Sequence, residues 1–153
     1  LSCMENNQKD LFVVLRTSNR TAPQLQDLLT GGRLTYMSMA DQLNRVADKL
    51  VTRCGYSRLA VMAGAYNGAS LKTLREKYPK LFLLLDGYDY PNANAKNCSH
   101  GFDKSGHGAA ACGSAGITCA WKAAESDGED YLDQAKAAAE RMKKNLTRYV
   151  TVL

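Results

Sequence analysis

Apolar positions along this 153-residue chain gather in short runs separated by polar, glycine-bearing loops. Leu11–Arg16 (LFVVLR), Arg58–Ala63 (RLAVMA) and Leu81–Leu85 (LFLLL) are of strand length and do not alternate, which predicts strands apolar on both faces. Gly108–Cys112 (GAAAC) reads as a fourth strand built from small residues. Between these runs the period lengthens to that of a helix. Ser38 and Asp41 form an S-x-x-D capping box ahead of Leu43, Val46, Ala47 and Leu50, with Gly55 as the stop. Ser70 opens a shorter helix with Leu71, Leu74 and Tyr78 inward, closed by Pro79. Asp127 caps the last helix, whose stripe runs through Tyr131, Leu132, Ala135, Ala138, Ala139, Met142 and Leu146. Thr17–Pro23 is a polar loop, Gly31-Gly32 breaks the chain, and Pro91–Ser105 is either a loop or a short helix.

Strand, loop and helix thus recur four times. Parallel strands covered by helices satisfy that order, so the fold class is α/β: four β/α units, half of a TIM-type barrel, in a single domain over residues 1–153. Half a barrel leaves two strand edges and an apolar inner face uncovered. A protein partner, a second copy or a missing N-terminal half is expected to cover them.

Charge and composition narrow the classes. The net charge is +5, but no basic run is interleaved with aromatics, which reads as a solvated basic surface and not a nucleic-acid site. Arg141, Lys143, Lys144 and Arg148 suit the negative end of a helix. No apolar run approaches the roughly 18 residues of a membrane span. Five cysteines, an odd number in a chain of this length, favour reduced thiols. The expected location is the cytoplasm or the interior of a mitochondrion or plastid, without secretion. The first residue is Leu, which suggests a processed product or part of something longer.

The chemistry-bearing clusters are weak. Cys98, His100, His107 and Cys112 are zinc-ligand types, but their spacing matches no common structural site. The simpler reading buries Cys112 in a strand and leaves the other three in a loop. Gly106-x-Gly108 is only a glycine-bearing approach to a strand. Cys119, beside Trp121, reads as core. No serine, histidine and aspartate fall into a persuasive triad order. The chain calls for no metal and no cofactor.

The loops after the strands carry a resemblance. Leu11–Asn19, ending in Thr-Ser-Asn, Leu25-Gln-Asp-Leu28, Gly55–Ala65, the Leu74-Arg75 pair before Pro79, Phe82–Tyr88 and Phe102–Ile117 follow one another in an order that resembles the C-terminal half of orotidine 5′-phosphate decarboxylase, in its bacterial-type group. The resemblance runs from about Leu11 to Leu146. It implies a half-barrel from an enzyme of pyrimidine biosynthesis, with Ser18, Gly87, Ser114 and Gly116 on positions that contact substrate in the family. It also implies that the family's catalytic D-x-K-x-x-D array lies in the other half, and no such pattern occurs here.

Several positions depart from the family. Asp86 stands in place of Pro and Asp89 in place of Gly; Pro91 replaces the phosphate-covering Gln; Asn92 and Ala93 replace glycines; Ala115 takes the position of the phosphate-binding Arg. Added carboxylates repel a phosphate dianion, and each charge-assisted hydrogen bond lost costs about 1.5–3 kcal/mol. The expected function is therefore a non-catalytic, decarboxylase-derived structural or interaction subunit of a larger assembly, a pseudoenzyme. The alternative is the C-terminal part of an active decarboxylase whose Asp/Lys array lies on a missing segment. A third reading is an altered pocket that uses Asp86 and Asp89 to hold an uncharged or cationic small molecule; Tyr88 and Tyr90, which flank Asp89, are instead anchors suited to a protein contact.

Overall fold

A computed structural model of the chain describes residues 9–89 and 93–151. The expected positions Tyr90, Pro91 and Asn92 lie outside the described residues. Among the described residues, thirteen elements follow one another: β1 (Leu11–Arg16), α1 (Ala22–Gln26), β2 (Leu29–Thr30), β3 (Arg33–Leu34), α2 (Thr35–Ala47), β4 (Leu59–Gly64), α3 (Gly68–Lys77), β5 (Leu83–Asp86), α4 (Ala95–Ser99), β6 (Ala109–Ala111), α5 (Ala115–Thr118), α6 (Ala120–Ala123) and α7 (Tyr131–Leu146).

The main sheet has the order β1-β4-β5-β6, and every pair in it is parallel. Spatial order follows chain order without reversal. That is the arc of a β/α barrel, whereas a doubly wound sheet reverses direction at its switch point. The four strands end on the β1 and β6 edges. The expected half-barrel of four parallel β/α units is what the chain forms. A two-residue Gly31-Gly32 turn, with φ of +60° and +76°, closes a small antiparallel hairpin of β2 and β3 that the pattern of apolar residues does not reveal.

The faces of the sheet differ sharply. On one, Leu15, Val61, Ala63, Leu83 and Leu85 pack against Ala40 and Ala47 of α2 and Leu71 and Leu74 of α3 to form the buried core. On the other, the register aligns Val14, Met62, Leu84 and Ala110, with Phe12 paired to Ala60. Phe12 is 46% exposed and Val14 50% exposed. Phe12 stacks edge-to-face on Phe82, their centroids 6.3 Å apart. No helix covers this face among the described residues.

Arg75 ties the second half of the sheet together. It lies on α3, 8% exposed, and spends its guanidinium on backbone carbonyls: Nε on Gly101 (2.9 Å), Nη1 on Pro79 (2.8 Å) and Leu81 (2.9 Å), Nη2 on Gly108 (2.6 Å). The ring of Tyr56 lies beside it, and the Tyr56 hydroxyl donates to Asp103. Burial and that hydrogen bond push the Tyr56 phenol up to about 12.

Several local expectations are corrected. Ser38 and Asp41 do not cap α2, which starts at Thr35 after an uncapped Leu34. The Thr35 amide is instead satisfied by Leu28 O at 2.8 Å, and the Asp41 carboxylate is taken by Tyr78, Lys77 and Arg33. The helix ends at Ala47, and Gly55, with φ of +88°, sits in a later turn. Asn67, not Ser70, caps α3, its side chain accepting from the Ser70 amide at 3.0 Å. Asp127 caps only the turn before α7, accepting from the Glu129 amide, and α7 starts at Tyr131. Part of the α7 stripe is open: Ala138 is buried, but Tyr131 and Leu132 are exposed. A three-residue β6 offers little strand to cover, so α7 rests on α4, α5 and α6. The cysteine expectations exchange places. Cys98 is fully buried in α4, Cys112 is half-buried just after β6, and Cys119 is half-buried, not core. Cys54, Cys98, Cys112 and Cys119 are free thiols. Among the described residues, no helix is long and apolar enough to cross a membrane.

Candidate functional site

Ligands of β/α barrels sit at the carboxyl ends of the strands, where the loops converge. The first of these loops, Thr17-Ser18-Asn19, is held by its own polar side chains. Gln26 Oε1 accepts from the Thr17 amide (3.0 Å), Gln26 Nε2 donates to Thr17 Oγ1 (3.0 Å), and Asn19 Nδ2 donates to Thr21 Oγ1 (2.8 Å). This frees Ser18, whose hydroxyl donates to the carbonyl of Asp86 at 2.8 Å. Asp86 ends β5, and β4 lies between β1 and β5, so the bond passes over the end of β4. Gly64 leaves the room: a Cβ there would meet Ser18 Oγ at 2.8 Å and Thr17 O at 3.0 Å.

The loops after β5 and β6 form one junction. Gly87 turns the chain with φ of +77°. The Tyr88 amide donates to Cys112 O (3.1 Å), and the Cys112 amide to Leu85 O (2.8 Å). Asp89 Oδ2 accepts from the amides of Ser114 (2.5 Å) and Gly116 (3.0 Å). Ser18, Gly87 and Ser114 thus lie on strand-end loops, and Gly116 lies in α5, directly after the β6 loop. Direct bonds link Ser18 to the β5 end, and Ser114 and Gly116 to Asp89. Ala115 opens α5 and is exposed.

A charged cluster at the end of β1 carried no signal in the sequence. Arg16, 2% exposed, forms a two-pronged pair with Asp27: Nε to Oδ1 at 3.0 Å and Nη2 to Oδ2 at 2.6 Å. The rings of Tyr36 and Tyr66 lie 5.3 Å and 5.2 Å from its guanidinium carbon. Burial disfavours the charge, but the Asp27 hydrogen bond and the two tyrosines outweigh it and raise the Arg16 pKa. A register shift in β1 between Val14 and Arg16 accompanies this placement. Nothing in the spacing of Arg16 and Asp27 marks them as partners, because the short helix α1 brings them together.

The zinc-type residues are dispersed. Burial raises the Cys98 thiol to about 11, the reverse of what a metal thiolate requires. Among the described residues, no three His, Cys, Asp or Glu side chains converge on a point a metal could occupy.

The fold and the loop cluster define a class: one half of a parallel β/α barrel, with strand-end loops in ligand-site positions. No family model matches the chain. It is similar to the orotidine 5′-phosphate decarboxylase of Petrotoga mobilis, with 30% identity over 148 residues, covering 95% of this chain and 51% of the relative. Likeness to the Clostridium novyi enzyme of the same name is 28% identity, over 95% of this chain and 50% of that one. Among solved structures, a Toxoplasma gondii protein assigned as an orotidine-monophosphate decarboxylase superposes with a TM-score of 0.74 at 24% identity, over 96% of this chain and 54% of that one. The Leishmania donovani OMP decarboxylase gives 0.68 at 23% identity, over 94% and 50%. The chain spans about half the length of the curated relatives it matches. The resemblance to the C-terminal half of orotidine 5′-phosphate decarboxylase is thereby shown, and the structural likeness extends it to the fold.

Proposed function

We propose that this chain is a non-catalytic, decarboxylase-derived subunit that serves as a structural or interaction half-barrel. The observation that carries the reading is the uncovered sheet face. Phe12 and Val14 stand about half exposed beside Met62 and Leu84, between two strand edges, in a chain that spans about half the length of the relatives it matches. Exposed apolar surface flanked by unpaired strand edges favours association. The occupant this argues for is a complementary set of β/α units that completes eight strands. Ser18, Gly87, Ser114 and Gly116 are then vestiges of a substrate site. Asp86 and Asp89 add negative charge to loops where a phosphate dianion needs positive charge.

Half-length coverage also favours a second reading, in which the complement carries the catalytic Asp/Lys array and the assembly is an active decarboxylase. The assembly as isolated separates the two. The first reading expects no turnover of orotidine 5′-phosphate and no calorimetric binding of uridine 5′-phosphate. Micromolar nucleotide affinity overturns it in favour of the second. Native mass and the identity of the bound chain test the occupant. Val14→Asp is expected to release the complement while the far-ultraviolet spectrum of the chain is retained. A free wild-type monomer refutes the interaction role, and a dimer of this chain alone replaces the complement by a second copy.

A further inference from the structure

The uncovered face of the sheet has a graded surface. The register sets Phe12 level with Ala60, and one residue before β5 it brings Phe82 beside Ala60 and Gly108. From β1 across to β6 the row reads large, small, large, small, the alternation that fills a closing barrel. Ala60 is 2% exposed, and the rings of Phe12 and Phe82 meet edge to face across it. The ring of Tyr56 meets Phe82 in the same way, with centroids 6.3 Å apart, and its hydroxyl is held by Asp103. A cavity of about 230 Å³ opens against these groups, lined by Phe12, Ala60, Phe82 and Tyr56 together with Asp10 and Arg58. That volume is several times the roughly 30 Å³ share of one water, enough for a large side chain.

The interior of a β/α barrel fills in layers of four side chains, supplied by alternate strands. In the ring that four further strands would close, β1 and β5 are alternate members. Phe12 and Phe82 are then half of the layer nearest the amino ends of the strands. We infer that the other half is a pair of aliphatic side chains from the first and third strands of the complement, counted round the ring from β6, and that one of them fills the cavity beside Phe12. This rests on the interaction half-barrel proposed above and names the chemistry of its partner: parallel strands with aliphatic residues facing inward at their amino ends. The solved relatives leave close to half their length unmatched, room for four more strands. A second copy of this chain fits worse. Its own β1 and β5 would take the first and third places and put two more phenylalanines into the layer. Four rings overfill a layer that branched aliphatic side chains ordinarily fill, and an overpacked core is destabilised.

The test is photo-crosslinking within the assembly as isolated, with p-benzoylphenylalanine introduced into the full chain in place of Phe12 and, separately, of Phe82. Peptide mapping is expected to put both cross-links on inward-facing aliphatic residues of the complement's first and third strands. Dilution of the assembly, followed by native mass, measures the anchor. Phe12→Ala should raise the dissociation constant by about tenfold or more, as truncation of a buried aromatic anchor does, and Phe12→Leu by less. Where Phe12→Ala does not fold, Phe12→Leu and the cross-link from position 82 carry the test. Cross-links confined to helices or loops of the complement, or none to it, overturn the shared layer and leave the interaction reading standing. Cross-links between two copies of this chain overturn the complement in favour of a second copy. Equal dissociation constants for Phe12→Ala and wild type overturn the anchor. A free wild-type monomer overturns this inference together with the reading beneath it.

Discussion

Replacing Arg75 by Met tests what holds the β5–β6 half of the sheet in place. The side chains are similar in length, so the change removes the guanidinium with little loss of volume. The carbonyls of Gly101, Pro79 and Leu81 each lose a charged donor, whereas Gly108 O keeps the amide of Leu83 at 2.9 Å. A buried acceptor left unpaired costs about 1–3 kcal/mol. Part of this is returned, because the variant no longer buries a cation: burial lowers the Arg75 pKa despite the opposing pull of Tyr56 and Asp103. A net loss of about 3 kcal/mol follows, equivalent to roughly 6–12 °C in Tm for a chain of this size. Arg75→Lys retains the charge but cannot reach carbonyls on three sides, and should lose about half as much. Thermal unfolding of the full chain by near-ultraviolet circular dichroism reads the effect, and hydrogen exchange across 101–108 localises it. An Arg75→Met midpoint within about 2 °C of the wild type would show that water replaces the guanidinium, and the clamp would be refuted.

Two further measurements follow from local chemistry. Asp41 accepts from Tyr78 Oη at 2.6 Å and Lys77 Nζ at 2.9 Å, which depress its carboxyl below the usual range. Its folded pKa lies below the unfolded value of about 3.9, so its contribution to stability is present above about pH 4 and is lost as pH falls through the folded value. The gap in urea midpoint between wild type and Asp41→Asn should therefore be widest near neutrality and shrink toward pH 3, and a constant gap contradicts the pairing. Alkylation should discriminate among the thiols. Cys54 is exposed, and a hydrogen bond with Thr52 lowers its pKa, whereas burial holds Cys98 at about 11. Among the described thiols, peptide mapping after brief treatment near pH 7.5 should find Cys54 labelled first and Cys98 last; the reverse order would refute the assigned burial.

The sequence by itself determined the class of fold. Continuous apolar runs such as LFLLL and RLAVMA specify strands covered by helices, and their recurrence with helical stretches between them specifies parallel β/α units. These signals survive because they are periodic and local. Order along the chain places Ser18 and Gly87 in loops after strands and Ser114 and Gly116 after β6, but it does not reveal their neighbours. The cap of α2 was misplaced because long-range partners, Tyr78 and Lys77, took the Asp41 carboxylate from its expected role, whereas at α3 a nearer local residue, Asn67, took the cap. Only the tertiary structure decided that Arg16 pairs with Asp27, that Gly64 lets Ser18 reach β5, and that Asp89 sits on the amides of Ser114 and Gly116. In the sequence, Asp89 is one more negative charge in a loop. Its oxygen finds those amides because parallel pairing of β5 with β6 lays two loops side by side that stand 25 residues apart in the chain, a proximity no local pattern encodes.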